Sequence, residues 1–151
     1  MTNAYLELTH LIERLHRRFL DVLRTELNRL GVRDINGVQA LLLANIGEEE
    51  IVIRDLVERG YYQGSNVSYN IKKLVDYGYL EQERTEHDKR SVSIKLTEKA
   101  VKIVVKIREL EAQNAQSFVE KQQIENETET VLESLRRLER VWADYINYGS
   151  Q

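Results

Sequence analysis

The side chains best equipped for chemistry cluster between Ser65 and Arg90. From Ser65 to Asp76 the apolar residues Val67, Ile71, Leu74 and Val75 recur at helical spacing and so share one face of a helix. The other faces then carry Ser65, Asn66, Tyr69, Lys72, Lys73 and Asp76, with Ser68 and Asn70 flanking. This set suits a major-groove helix. Asn pairs bidentately with adenine, Ser hydroxyls donate or accept, Tyr meets a thymine methyl or a phosphate, and lysines hold phosphates. Asp76 gains nothing from such contacts and is expected beyond the groove. An ordinary solvated helix face has the same composition, so the helix alone leaves both readings open.

A second cluster, Glu86-His87-Asp88-Lys89-Arg90, concentrates charge in a short turn. Lys89 and Arg90 are placed for a minor groove or its flanking phosphates, and Arg84 on the preceding strand adds to the same basic surface. Asp88 would pair with Arg90 or another arginine and orient the turn. A plain charged hairpin turn is the alternative.

Charge partition separates these readings better than either motif. The whole chain of 151 residues carries a net −3, a poor credential for a partner of nucleic acid. The window from Arg59 to Arg108, however, holds 11 basic and 6 acidic residues, a net of +5, which leaves −8 on the remainder. A basic centre within acidic flanks lays one surface on phosphates and keeps the rest away.

Catalytic chemistry finds little material. With no cysteine there is no disulfide, thiolate metal site, thiol nucleophile or redox thiol. The three histidines, His10, His16 and His87, stand apart, the first two at i and i+6 and so not a single-face metal pair. There is no nucleophile elbow and no Gly-rich phosphate loop. Neither a signal-peptide pattern nor an apolar run of membrane-spanning length occurs, so the cytoplasm is the expected location and no membrane partner is expected.

The elements that must position these residues follow from periodicity. Leu8, Leu11, Ile12, Leu15, Phe19, Val22, Leu23, Leu27 and Leu30 mark a long amphipathic helix stopped by Gly31. A second helix fits Asn36 to Asn45. A short strand or turn follows at Glu50–Val52, then a short helix up to Gly60. Gly60-Tyr61-Tyr62-Gln63-Gly64 reads as a turn bracketed by two glycines, with Ser65 as N-cap of the next helix. Tyr79 to Thr85 and Ser91 to Leu96 alternate as two strands of a hairpin, the second with Val92, Ile94 and Leu96 on one side and Ser91, Ser93 and Lys95 on the other. Thr97 and Glu98 open a helix reaching Phe118, and the polar stretch Glu120 to Thr130 separates it from a last helix, Val131 to Ile146. With no proline, nothing forbids long helices. The expected fold is mainly α with a small β-hairpin wing: a winged helix-turn-helix flanked by N- and C-terminal dimerisation helices, with an intramolecular bundle of those arms as the alternative.

The block from Ile51 to Ala100 resembles the MarR family of winged-helix transcriptional regulators. The match is carried by Lys73-Leu74-Val75-Asp76-Tyr77-Gly78-Tyr79-Leu80, by Asp88-Lys89-Arg90 in the wing, and by Leu96-Thr97-Glu98-Lys99-Ala100. Ala100 stands where the family usually has glycine, and the Tyr61-Tyr62 turn is bulkier than the common form. The stretch from Gly60 to Val75 resembles a proteobacterial subgroup that includes regulators of L,D-transpeptidase. The resemblance implies one MarR-like domain over 1–151, with dimerisation helices at 1–33 and 97–151 and the winged helix-turn-helix at 34–96. It further implies a homodimer on near-palindromic double-stranded DNA, a repressor released by a small molecule held between the dimer helices and the winged unit. No cofactor is implied, and the lack of cysteine means an effector is bound rather than reacted. Phe19, Leu23, Tyr61 and Tyr62, near the hinge, are candidates to line that cleft, with Tyr69 close by; such a stripe also serves as plain core. The competing function is a winged-helix protein-interaction module that does not bind DNA.

Overall fold

The computed structural model describes residues 2–84, 91–122 and 125–149. Its helices are α1 (Thr2–Arg29), α2 (Gly37–Ile46), α3 (Ile53–Gly60), α4 (Gly64–Asp76), α5 (Glu98–Gln122) and α6 (Glu125–Tyr148), and its strands are β1 (Ile51–Val52), β2 (Leu80–Arg84) and β3 (Val92–Leu96). The strands form one antiparallel sheet in the order β1-β3-β2. Its register pairs Leu80 with Leu96 and Arg84 with Val92 on one edge, and Ile51 with Ile94 on the other. A helix-turn-helix leading directly into a hairpin is the winged architecture the sequence predicts.

Two compact units divide the chain, 1–109 and 110–151, and the division falls inside α5 rather than at its start. The reason lies in the core of the first unit. Ala100, Ile103, Val104 and Ile107 of α5 are buried with Leu23 and Leu27 of α1, Leu42 and Leu43 of α2, Leu56 of α3, Val67, Ile71 and Leu74 of α4, and Ile94 and Leu96 of β3. In the second unit Leu135 and Leu138 of α6 are half-buried, whereas Val131, Val141, Tyr145 and Ile146 are exposed.

Several boundaries differ from the sequence expectation. α1 begins at Thr2, well before Leu8. The polar stretch Glu120 to Thr130 holds the boundary between the last two helices, as expected, but most of it is itself helical: α5 runs on to Gln122 and α6 starts at Glu125, because Glu, Gln and Lys are good helix formers. Asn36 caps α2 with a full capping box, its Oδ1 accepting from Gln39 N while Gln39 Oε1 accepts from Asn36 N. Gly37 sits where α2 crosses α1; a Cβ there would stand 2.7 Å from the Leu20 carbonyl oxygen.

Ser65 is not the N-cap of α4. That position falls to Gln63, without a side-chain cap bond, and Ser65 lies exposed in the first turn. The glycines do bracket the turn, Gly60 closing α3 and Gly64 opening α4, but the left-handed residue between them is Tyr61 at φ 53°. Ser93 departs from the alternation expected of its strand. As β3 is the central strand, Ser93 is buried, and its hydroxyl donates to the Glu50 carboxylate, with the Glu83 carbonyl a second, weaker acceptor at 3.3 Å for the same proton.

Candidate nucleic-acid interface

The basis of the interface is the two-sidedness of α4. Val67, Ile71 and Leu74 are buried in the core of the first unit and fix the helix's rotation. Ser65, Asn66, Ser68, Tyr69 and Lys72 are left exposed, with Lys73 half-buried beside them. The structure therefore brings these six residues onto one continuous surface, with Tyr69 at 62% exposure. Lys73 Nζ lies 5.7 Å from the centre of the Tyr69 ring, in cation–π range. No acid interrupts α4 before Asp76 at its exposed C-terminal end.

Asn70 has another orientation. It faces α2, where its Oδ1 accepts from Gln39 Nε2 at 3.2 Å. It was expected among the groups presented to DNA; instead it ties the two helices of the helix-turn-helix together. Gln39 is buried, and its carbonyl is already committed to the capping box, so both ends of this amide are satisfied. Asn66 turns its amide nitrogen back to Gln63 Oε1 at 3.3 Å.

The far end of α4 is held from α5. Lys99 donates to the Tyr77 carbonyl at 3.0 Å, just past the helix C-terminus, where a cation is favoured. The same ammonium lies 4.2 Å from the centre of the Tyr79 ring and 3.6 Å from Asp34 Oδ2. Tyr79 donates its hydroxyl to Asp34 Oδ1 at 2.5 Å. Burial first, then the adjacent Asp34 carboxylate, pushes the Tyr79 phenol well above its ordinary range, so it stays a donor. Gly78, at φ 83°, turns the chain from α4 into β2.

On the hairpin, Arg84 is exposed at the end of β2 opposite Val92. The wing-turn candidates Asp88, Lys89 and Arg90 lie outside the described residues.

Behind α4 a cavity of about 410 Å³ is walled by α1, α2, the α3–α4 turn and the inner flank of α4. Tyr61 and Tyr62 line it. Leu23 does not: at 1% exposure it belongs to the core beneath α2. Phe19 does not either, lying on the solvent side of α1 at 40% exposure. Their neighbours His16 and Leu20 take those places, one helical step round, and Asn66 and Asn70 complete the polar wall. The Tyr62 ring packs on Gly60, where an added Cβ would come within 2.0 Å of it, and the Tyr62 hydroxyl accepts from Asn45 Nδ2. A second, more open cavity of about 540 Å³, which the sequence did not signal, lies beside Leu30, Tyr79, Lys99, Lys102 and Lys106.

Among the described residues no group of His, Asp or Glu side chains is gathered to hold a metal ion, and no helix is long and apolar enough to cross a membrane.

With this geometry in view, comparison with known proteins is specific. Residues 35–100 match the family model of a winged helix DNA-binding domain. The chain is 39% identical over 146 residues to the exopolysaccharide II synthesis transcriptional activator ExpG of Rhizobium meliloti (strain 1021), covering 97% of this chain and 75% of that protein. In fold it is similar to S. aureus MepR in complex with DNA, with a TM-score of 0.74 at 18% identity over 89% of this chain and 96% of that one. A mutant MarR from E. coli complexed with operator DNA gives a TM-score of 0.72 at 22% identity, covering 91% of this chain and 97% of that one. These likenesses, together with the winged core and its outward-facing helix, place the chain in the MarR family of winged-helix, DNA-binding transcriptional regulators.

Proposed function

We propose that the protein acts as a homodimer on near-palindromic double-stranded DNA, one α4 entering each of two successive major grooves. The half-sites would then lie one helical turn, about 34–36 Å, apart. The observation that carries this reading is the exposed face of α4, polar and cationic along its length over a fully buried inner face. On it Ser65, Asn66, Ser68 and Tyr69 address base edges, while Lys72 and Lys73 hold phosphates. Arg84, Lys89 and Arg90 serve the wing, with Asp88 orienting its turn. Asn70 supports the reading helix from behind.

Dimerisation is supported by apolar side chains at helical spacing on solvent: Leu8, Leu11 and Leu15 on α1, and Val131, Val141 and Tyr145 on α6. Such stripes are what an intersubunit seam leaves on a lone chain. A small-molecule effector would occupy the cavity bounded by Tyr61 and Tyr62, whose polar wall is the flank of α4 itself. The protein works in the cytoplasm, where the DNA is, and by binding rather than catalysis.

Repression, with release of the operator on effector binding, is the mode we assign. Activation is the second reading, favoured by the relative named as a transcriptional activator. Gel shift against the protein's own upstream region, at two salt concentrations, tests DNA binding. Specific binding that weakens steeply with salt is expected, and indifference to sequence and salt would favour a protein-interaction module instead. Sedimentation tests the dimer, and a promoter fusion with and without the protein decides the sign of regulation.

A further inference from the structure

We propose that Tyr69 sets the sequence preference of α4 by seating its ring against the C5-methyl of a thymine in each half-site; the assignment rests on α4 being the major-groove helix. The argument is one of which groups remain free. Asn70 has its Oδ1 taken by Gln39, so it lacks the paired acceptor and donor that adenine requires. Asn66 has its amide nitrogen turned to Gln63, so it meets a base edge with its carbonyl alone and without the donor that adenine pairing also needs. Between Gln63 and Asp76 there is no arginine, so the planar fork that reads guanine is missing. Lys73, over the Tyr69 ring, is a point charge suited to a phosphate rather than to reading a base.

What remains at the crest is Tyr69 itself, 62% exposed, with Ser65 one turn before it, Ser68 beside it and Lys72 following. Its neighbours Ser65 and Ser68 are small, which leaves the aromatic ring largely exposed. The Lys73 ammonium lies 5.7 Å from the ring centre, and at 62% exposure the ring keeps surface free for an apolar contact. In the major groove only thymine among the four bases offers a methyl group. The serines flanking the ring donate or accept equally and so add contact without imposing a base.

The test begins with sequences selected by the wild-type protein from random duplexes. Each thymine of the selected half-site is then replaced in turn by deoxyuridine, which removes only the methyl. At one position per half-site the affinity is expected to fall about four-fold, the factor for one buried methyl-sized group, and about sixteen-fold when both half-sites are changed. Tyr69→Phe keeps this sensitivity and Tyr69→Ala abolishes it; a melting curve for each variant confirms that truncating an exposed side chain leaves the fold intact. Uniform weakening by Tyr69→Phe on every sequence, with no effect of deoxyuridine, would give the phenol to a phosphate and overturn the proposal. Persistence of the deoxyuridine effect in Tyr69→Ala would give the methyl to another residue, with the same consequence. Failure of the wild-type protein to select any sequence would sink both the proposal and the DNA-reading role beneath it, and the wild-type experiment alone identifies that case.

Discussion

The contact between Gly60 and Tyr62 lends itself to a double-mutant cycle whose sign changes with background. Gly60 ends α3 with no positive φ, so its backbone accepts alanine without strain. In isolation Gly60→Ala should stabilise, by up to about 1 kcal/mol, since glycine loses more backbone freedom on folding. The native ring removes that gain. The new Cβ would stand 2.0 Å from Tyr62 Cε2, 2.5 Å from Cδ2 and 2.9 Å from Cζ, too close along the whole ring edge for a small adjustment. Tyr62 must then leave, breaking its hydrogen bond with Asn45 and its packing in the cavity wall. A lost hydrogen bond costs about 1 kcal/mol and partial exposure of the ring about 1–2 kcal/mol more. Gly60→Ala is therefore expected to destabilise by about 1–2 kcal/mol in the wild-type background. In the Tyr62→Ala background it should stabilise by up to about 1 kcal/mol, leaving a coupling of about 2–3 kcal/mol. Urea denaturation of the four proteins measures it, at one protomer concentration because assembly shifts the midpoint. Equal effects of Gly60→Ala in both backgrounds would refute the packing of this ring against the end of α3.

Gly37→Ala should destabilise by about 1–3 kcal/mol despite alanine's helix propensity, because its Cβ meets the Leu20 backbone oxygen at 2.7 Å and a backbone atom yields less readily than a ring. Thermal melts read this directly. Glu26 provides a pH test. Its carboxyl, 6% exposed, is held below its ordinary range by hydrogen bonds from Arg29, against the opposing effect of burial. Because the folded value is depressed, its stabilisation is present above the ordinary glutamate value of about 4.3 and is lost as pH falls through the lower folded value. Denaturation midpoints of wild type and Glu26→Gln should accordingly converge as pH drops below about 4; a gap that stays constant down the titration would contradict the pairing. Lys72→Ala should weaken binding about equally on all DNA sequences and reduce the slope of log affinity against log salt by about 1 per protomer. An unchanged slope would mean Lys72 does not meet a phosphate.

What the sequence reveals and what it hides divides along the range of the interactions. The inner face of α4 is legible because Val67, Ile71 and Leu74 repeat at the helical period, and the exposed face follows by subtraction. The cavity is only half legible. Phe19 and Leu23 belong to the same apolar stripe as Leu20, and periodicity cannot say which of them meets the next helix. That is fixed by the crossing at Gly37, a contact between residues far apart in the chain. Ser93 is misread for a related reason: strict alternation assumes a covered and a solvated face, whereas a central strand flanked by β1 and Glu50 buries a polar residue once it finds an acceptor. The reorientation of Asn70 depends on Gln39, 31 positions away. One local signal did exist. Asn36 and Gln39 have the spacing of a capping box, which draws Gln39 toward the start of α2 and so toward its partner.

The groups that fix the geometry of α4 differ in kind from those that would grip DNA. The links that hold the helix are amides: Gln39 to Asn36 and to Asn70 behind it, and Gln63 to Asn66 at its exposed first turn. In front are ammonium groups, Lys72 and Lys73, on an exposed surface. Neutral hydrogen bonds are barely screened by salt, whereas phosphate contacts of exposed cations weaken with every rise in ionic strength. The orientation of the reading face should therefore survive conditions that reduce its affinity, so that salt changes how tightly the protein binds more than which sequence it prefers. A charged link in the scaffold, Lys99 at the α4 C-terminus, fits this division because it meets three partners at once: the Tyr77 carbonyl, the Asp34 carboxylate, which also accepts from the Tyr79 hydroxyl, and the Tyr79 ring. A cation so engaged holds the helix in place and has little left to offer a phosphate.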